Sequence, residues 1–308
     1  MKNVELSPSG VLLSRLSFGM GSPWPDETEE KDLQLLQQAR ESGIRSFDTA
    51  EIYDNTRAET ILGKALKGCR EQYTISTKVS RKLERPDEVL RSFEESLKRL
   101  QTDYVDIYYM HGPGATVPVS ETLTAFRRLK DEKLIRAVGV SNFSLAQLQE
   151  AVDCFGAIDV VQPRYNLLDR SIEPEILPFC RKHSMGIMSF SPTEKGLLLG
   201  NYADPQTPVM KSLLVRPWFQ PDNRDKTNRL VAQLRELAAA KSATISQIAI
   251  SWLLHQQGVT SVILGTKNPQ HLRDNLGAAE FRLTQEECSL LDEASRQTLR
   301  SYDSEGNK

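Results

Sequence analysis

Four side chains carry chemistry that their neighbours do not: Asp48, Tyr53, Lys78 and His111. Asp48 closes an apolar run, Tyr53 follows it by five residues, Lys78 sits near the end of the next run, and His111 closes the one after. Singly, each has an ordinary reading as a turn cap, a packing ring or a satisfied core group. Together they bring four polar titratable groups to three successive strand ends. An ammonium in an apolar strand needs a counter-ion, and Asp48 can supply one to Lys78. A phenol has a pKa of ~10, and a close ammonium favours the phenolate and lowers that value. Such a set suits proton transfer beside an oxygen that is gaining negative charge.

These residues need elements to hold them. Short β-rich runs at 16–21, 45–49, 73–79, 104–111, 135–140, 158–162, 186–190 and 261–264 alternate with longer helical patterns. Several runs are almost continuously apolar, as parallel strands covered by helices require. Between them, Val89, Leu90, Phe93, Leu97 and Leu100 fall on one face of a helix over 86–100. Helices are also expected over 121–134 and 227–240. Ser144 with Gln147 and Thr284 with Glu287 read as capping boxes, and Asn268-Pro269 reads as an N-cap and first helical residue. Repeated strand–helix units imply a parallel sheet with right-handed crossovers. Eight of them predict a closed (β/α)8 barrel over 1–308 as a single domain, preceded by a small hairpin at 4–13. The rival, an open doubly wound sheet, needs a glycine-rich phosphate turn. Gly19-Met20-Gly21 lacks the third glycine and runs into Pro23 and Pro25. A long loop is expected over 191–226, and a frayed tail from Ser301 to Lys308.

Composition narrows the function classes. The 308 residues include 26% charged ones with a net charge of −2, so nothing draws the chain to nucleic acid or an anionic membrane. Cys69, Cys154, Cys180 and Cys288 form no CxxC pair, and the four histidines form no cluster. This argues against a metal and for free thiols in a reducing compartment. Residues 1–10 lack the apolar run of a signal peptide, and no stretch reaches the ~18 apolar residues of a span. The expected location is the cytoplasm.

The motifs converge on one family. Gly43-Ile44-Arg45-Ser46-Phe47-Asp48-Thr49-Ala50-Glu51-Ile52-Tyr53 resembles the signature of the aldo-keto reductases, as do Ser76-Thr77-Lys78-Val79, Leu97-Lys98-Arg99-Leu100, Asp103-Tyr104-Val105-Asp106 and His111. Gly139-Val140-Ser141-Asn142-Phe143, Gln162 and Tyr165-Asn166-Leu167-Leu168-Asp169-Arg170 extend the resemblance, which runs from about residue 4 to about residue 280. It implies the (β/α)8 fold and a catalytic tetrad of Asp48, Tyr53, Lys78 and His111. It also implies hydride transfer between NADP(H), with NAD(H) as the alternative, and a small-molecule carbonyl or alcohol. In that scheme Tyr53 is the acid or base, Lys78 lowers its pKa, Asp48 holds Lys78, and His111 aims the carbonyl.

The resemblance assigns the cofactor to the barrel mouth. Ser141, Asn142 and Gln162 would hold the nicotinamide amide, and Phe190 replaces a tyrosine that usually stacks on its ring. Ser191 to Leu198, with Gly196 and Leu197, resembles a pyrophosphate loop; Gly19 and Met20 are placed near the cofactor as well. Gly265, Thr266 and Lys267 would meet the 2′-phosphate at a helix start, with Gln270, His271 and Asn275 near the adenosine. Trp24, Tyr53, His111 and Trp218 are the expected substrate contacts. Gly112 stands where relatives often carry an aromatic, so one pocket wall is expected to be open. A different function on the same fold is a cofactor-binding regulator resembling the voltage-gated potassium channel beta subunits.

Overall fold

The computed structural model describes residues 2–21, 28–201 and 214–303. They group into two compact units. The first, Met1–Pro163, Ile172–Phe190 and Gly258–Arg273, contains the whole barrel. Hairpin strands β1 (Asn3–Leu6) and β2 (Val11–Ser14) pair antiparallel. Strands β3 (Leu16–Gly19), β4 (Ser46–Asp48), β5 (Thr74–Val79), β6 (Val105–Met110), β7 (Ile135–Ser141), β8 (Val160–Gln162), β9 (Gly186–Ser189) and β10 (Val259–Leu264) follow. They form a closed parallel barrel in chain order, with β10 returning to β3. The fold is therefore a (β/α)8 barrel with an N-terminal hairpin, as the alternation predicts. Each strand lies in the expected run, trimmed or extended by one to three residues.

Helices α1 (Glu29–Glu41), α2 (Arg57–Ala65), α3 (Pro86–Leu100), α4 (Val119–Asp131), α5 (Leu145–Phe155) and α6 (Ile176–Lys182) come one after each of β3 to β8. Their starts are local. Thr28 and Ser144 accept the backbone N–H three residues on, and Gln147 returns the bond to Ser144.

The barrel is filled, not hollow. Ile107, Tyr109, Ala137, Val160, Met188 and Ile263 pack with Leu6, Val11 and Leu13 of the hairpin. The hairpin covers the amino ends of the strands: Thr74 donates to the Leu12 carbonyl at 2.6 Å, and a Cβ on Gly186 would stand 2.3 Å from Leu6 Cδ2. Function in such barrels gathers at the opposite, carboxyl ends.

The second unit comprises Arg164–Ser171, Ser191–Gln257 and Asp274–Lys308. It holds α7 (Arg224–Ala240) and α8 (Ile245–His255). Helix α9 (Pro269–Leu276) begins in the first unit, and α10 (Gln285–Asp303) ends the described chain. The expected loop at 191–226 contains short 3-10 turns at Leu197–Leu199, Pro217–Phe219 and Pro221–Asn223. The frayed tail is corrected in part. Ser301 and Tyr302 belong to α10, and the Tyr302 ring is buried with its hydroxyl 2.9 Å from Thr227 Oγ1. An aromatic ring repays burial when its hydroxyl finds a partner.

Candidate active site

The site starts from a buried ion pair. Asp48 ends β4, in register with Gly19 on one side and Ser76 on the other. Lys78, two residues after Ser76 on the same strand face, is fully buried. Its Nζ donates to Asp48 Oδ2 and to the Thr49 carbonyl, each at 2.6 Å. The other carboxylate oxygen accepts from Ser76 Oγ at 2.7 Å and from Gln162 Nε2 at 2.9 Å. Burial pulls the ammonium down, yet the charges of Asp48 and Tyr53 outweigh it and the Lys78 pKa is raised. Lys78 is therefore a fixed cation.

Two aromatic rings flank that cation. Its Nζ lies 5.1 Å from the Tyr53 ring centre and 5.7 Å from that of Tyr109. Tyr109 fits because a Cβ on Gly139 would stand 2.3 Å from its ring. Tyr53 fits because Gly21 has no side chain: a Cβ there would be 2.9 Å from Tyr53 Cζ. After Tyr53 the chain turns through Asp54, Asn55 and Thr56, all with positive φ. Arg57 braces this turn with ion pairs to Asp54 at 2.9 Å and Asp32 at 2.5 Å. Positive φ in non-glycine residues costs energy and persists only where the surroundings enforce it.

His111 follows β6, its N–H donating to the Val79 carbonyl at 3.1 Å. Its Nε2 is 3.3 Å from the Tyr53 hydroxyl, and the rings meet edge to face. Among the described residues Nδ1 has no hydrogen-bond partner. Burial, helped by the Lys78 cation and Arg81, pushes the His111 pKa down to about 4, with Asp48 opposing. The imidazole is neutral at neutral pH.

Here the sequence expectation needs correction. Lys78 does pull the Tyr53 pKa downward, but burial pushes it up by more and Asp48 adds to the rise. The phenol lies above its ordinary value. Desolvation disfavours the phenolate more than one already paired ammonium favours it.

A second chain of hydrogen bonds runs from the tetrad. Ser141 ends β7 in register with Gln162 at the end of β8. Ser141 Oγ donates to the Gln162 carbonyl at 2.8 Å. Asn142, held at φ 58°, donates through Nδ2 to Ser141 Oγ at 3.0 Å and to the His111 carbonyl at 3.2 Å. A hydroxyl and two carboxamides thus stand in one connected group, the donors and acceptors that a carboxamide ligand requires. They fit the nicotinamide amide. Met20 N–H donates to the Asp48 carbonyl at 2.9 Å, and a Cβ on Gly19 would collide with Ile263. Phe190 is half-buried against the barrel core, its N–H on the Pro163 carbonyl at 3.1 Å.

Beyond β10, Thr266 Oγ1 accepts from Asn268 N–H at 3.1 Å, and Asn268 Oδ1 caps α9 through Gln270 N–H at 2.8 Å. The expected N-cap is in place. Gly265 is exposed, Lys267 half-buried and His271 exposed, and Asn275 lies in the last turn of α9. Arg273, which the sequence reading overlooked, lies on the same helix and donates to Gln270 Oε1 at 2.7 Å.

Within the second unit, Ser191, Glu194, Lys195 and Gly196 all have positive φ, and Leu197 opens a 3-10 turn. Buried Glu194 accepts from Arg164 and Asn166 at 2.6 Å each and from the Trp218 indole at 3.2 Å. Trp218, expected as a substrate contact, is buried with its indole N–H tied to Glu194. Trp24 lies outside the described residues.

Sequence reasoning also missed Ser76 and Glu84. The spacing of Ser76 from Lys78 was the available signal for the first. Glu84 accepts the backbone N–H groups of Ala115, Thr116 and Val117 at 2.6–2.9 Å, fixing the loop after His111. A side chain at Gly114 would block this, since its Cβ would stand 2.3 Å from the Glu84 carboxyl carbon.

Among the described residues no single helix is long and apolar enough to cross a membrane. The model of the aldo/keto reductase family matches residues 15–296. The chain is 30% identical to an NADH-specific methylglyoxal reductase of Escherichia coli (strain K12), over 95% of this chain and 98% of that protein. It is 32% identical to a probable voltage-gated potassium channel subunit beta of Oryza sativa subsp. japonica, covering 91% and 92%. An aldo/keto reductase from Klebsiella pneumoniae, solved in complex with NADP and acetate, superposes with a TM-score of 0.76 at 26% identity, covering 97% and 95%. By its barrel, its site and these matches, the chain belongs to the aldo/keto reductase family and is an oxidoreductase.

Proposed function

We propose that this protein is an NADP(H)-dependent oxidoreductase that reduces aldehydes and ketones to alcohols, or runs the reverse reaction, with Tyr53 as general acid and base. The reading rests on one observation above all: the buried Asp48–Lys78 pair beside Tyr53, whose hydroxyl meets His111. A nicotinamide held by Ser141, Asn142 and Gln162 would supply the hydride to the carbonyl carbon. Tyr53, protonated at neutral pH by its raised pKa, gives its proton to the carbonyl oxygen. The fixed Lys78 cation stabilises the phenolate left behind until solvent restores the proton. Neutral His111 donates an N–H to the same oxygen and aims it. Asp48 acts through Lys78 as a positioning residue, and Ser76 and Gln162 act through Asp48.

Ser141, Asn142 and Gln162 hold the carboxamide, and Phe190 offers a stacking face. Ser191, Gly196 and Leu197 keep the pyrophosphate role that the resemblance implies. Gly265, Thr266 and Lys267, at the start of α9, suit a 2′-phosphate, with Gln270, His271 and Asn275 near the adenosine. The Klebsiella pneumoniae neighbour holds NADP, and the Escherichia coli relative is named NADH-specific; we favour NADP here for Lys267. The chain works as one domain.

Consumption of NADPH and of NADH with a panel of aldehydes, for wild type and Tyr53→Phe, tests the reading. Turnover untouched by the substitution removes Tyr53 from its role. The likeness to the rice channel subunit carries a second reading, a cofactor-binding regulator. Tight NADPH binding without turnover of any carbonyl, and stable capture of a channel partner, would favour it.

A further inference from the structure

Gly112, directly after His111, is buried and has no side chain where the sequence resemblance leads one to expect a pocket wall. A Cβ there would stand 3.5 Å from Arg81 Cδ and 3.6 Å from Arg81 Cβ. The aliphatic stem of Arg81 therefore lies along the space into which a residue at 112 would grow. Arg81 sits three residues beyond Lys78, just past the end of β5, and is exposed. Among the described residues none forms an ion pair or side-chain hydrogen bond with it. The carboxylate nearest in sequence, Glu84, is engaged by the backbone of 115–117 and by Thr116 Oγ1. Asp48 is engaged by Lys78, Ser76 and Gln162.

The Arg81 side chain starts close to the site, its stem approaching Gly112, the residue after His111. Its field reaches the His111 imidazole and adds to that of Lys78 in keeping the ring neutral. Its stem rests on a buried glycine, and the loop beyond that glycine is fixed by Glu84. A cation with no ion-pair partner among the described residues thus has its stem beside Gly112, the residue that follows the histidine. Arginine is the residue type best suited to a planar carboxylate, through paired N–H donors.

We propose that Arg81 is a substrate-recognising residue, and that the site favours carbonyl compounds carrying a carboxylate over their neutral counterparts. This rests on the carbonyl-reduction reading above. It replaces the expectation of a merely open wall at Gly112 with a charged one.

The test compares 4-formylbenzoate with its neutral methyl ester, using NADPH and the full chain. In wild type the kcat/KM for the carboxylate exceeds that for the ester by about tenfold, the scale of one hydrogen-bonded charge contact at a partly open site. In Arg81→Gln that ratio falls to about one, and Arg81→Lys restores part of it. Raising the ionic strength lowers the wild-type ratio and leaves the Arg81→Gln ratio unmoved, because an exposed pair is screened by salt. Turnover of both compounds with the same ratio in wild type and Arg81→Gln overturns the role of Arg81 and leaves carbonyl reduction standing. Failure to reduce either compound overturns the carbonyl-reduction reading, and this inference with it.

Discussion

Gln162 Nε2 donates to Asp48 Oδ1 at 2.9 Å across 114 positions of sequence. The same carboxylate fixes Lys78, so in the proposed reading Gln162 links cofactor binding to proton transfer. Replacing it should disturb both. Gln162→Ala is expected to raise the KM for NADPH and to lower kcat by about tenfold, the effect of one lost hydrogen bond to a charged group. A change in KM alone, in steady-state kinetics at saturating aldehyde, would separate the two roles and remove the link.

Tyr53→Phe removes the proton donor while keeping the ring against Gly21. A fall in kcat/KM for aldehyde reduction of at least about 10²–10³-fold is expected. The pH profile carries the sign. The phenol lies above its ordinary value of 10.0, so reduction in wild type should persist across neutral pH and decline only above pH 10. A decline centred near pH 7 and assigned to Tyr53 by its loss in the variant would contradict the raised value.

His111 titrates in the opposite sense. Its folded pKa is about 4 against an ordinary 6.5. Between those values the unfolded chain binds the extra proton, so stability present above pH 6.5 is lost as pH falls towards 4. The loss attributable to this ring is no more than about 3–4 kcal/mol, from the drop of its pKa from 6.5 to about 4. Urea melts of wild type and His111→Gln at pH 7.0 and 4.5 measure it: the variant should lose less on acidification.

Glu84 is a half-buried carboxylate held down to about 2 by the backbone N–H groups of Ala115, Thr116 and Val117. A depressed carboxylate contributes fully above its unfolded value of 4.5 and loses the contribution progressively as pH falls from there through about 2. Glu84→Ala should therefore free the loop at all ordinary pH. Amide hydrogen exchange at residues 115–117 is expected to accelerate by about tenfold or more at fixed pH. Unchanged protection would mean that other contacts hold the loop.

Glu59 is fully buried beside β5, accepting from Arg99 Nε at 2.6 Å and Thr77 Oγ1 at 2.5 Å. Arg99→Met strands its charge and should cost about 3–5 kcal/mol in denaturant unfolding. Adding Glu59→Met should recover part of that loss. A double variant as unstable as the sum of both singles would show the pair to be uncoupled.

Much of this was legible beforehand, for reasons that can be named. The barrel strands announced themselves because buried parallel strands are apolar on both faces. The boxes at Ser144 with Gln147 and Thr284 with Glu287 formed as expected, since a cap needs only residues three apart. Tyr302 was misjudged because its burial depends on Thr227, 75 positions away. The bond from the Trp218 indole to Glu194 was likewise not readable, because the two lie 24 positions apart.

The sequence alone determined the alternation of strands and helices, and the placing of Asp48, Tyr53, Lys78 and His111 at strand ends, because periodicity and capping act over a few residues. Only the tertiary structure decided that Tyr53 is a weaker acid than a free phenol, that Gln162 reaches Asp48, and that Arg81 lies against Gly112. Those outcomes depend on desolvation and on register around a closed barrel. Both arise only when distant segments pack together.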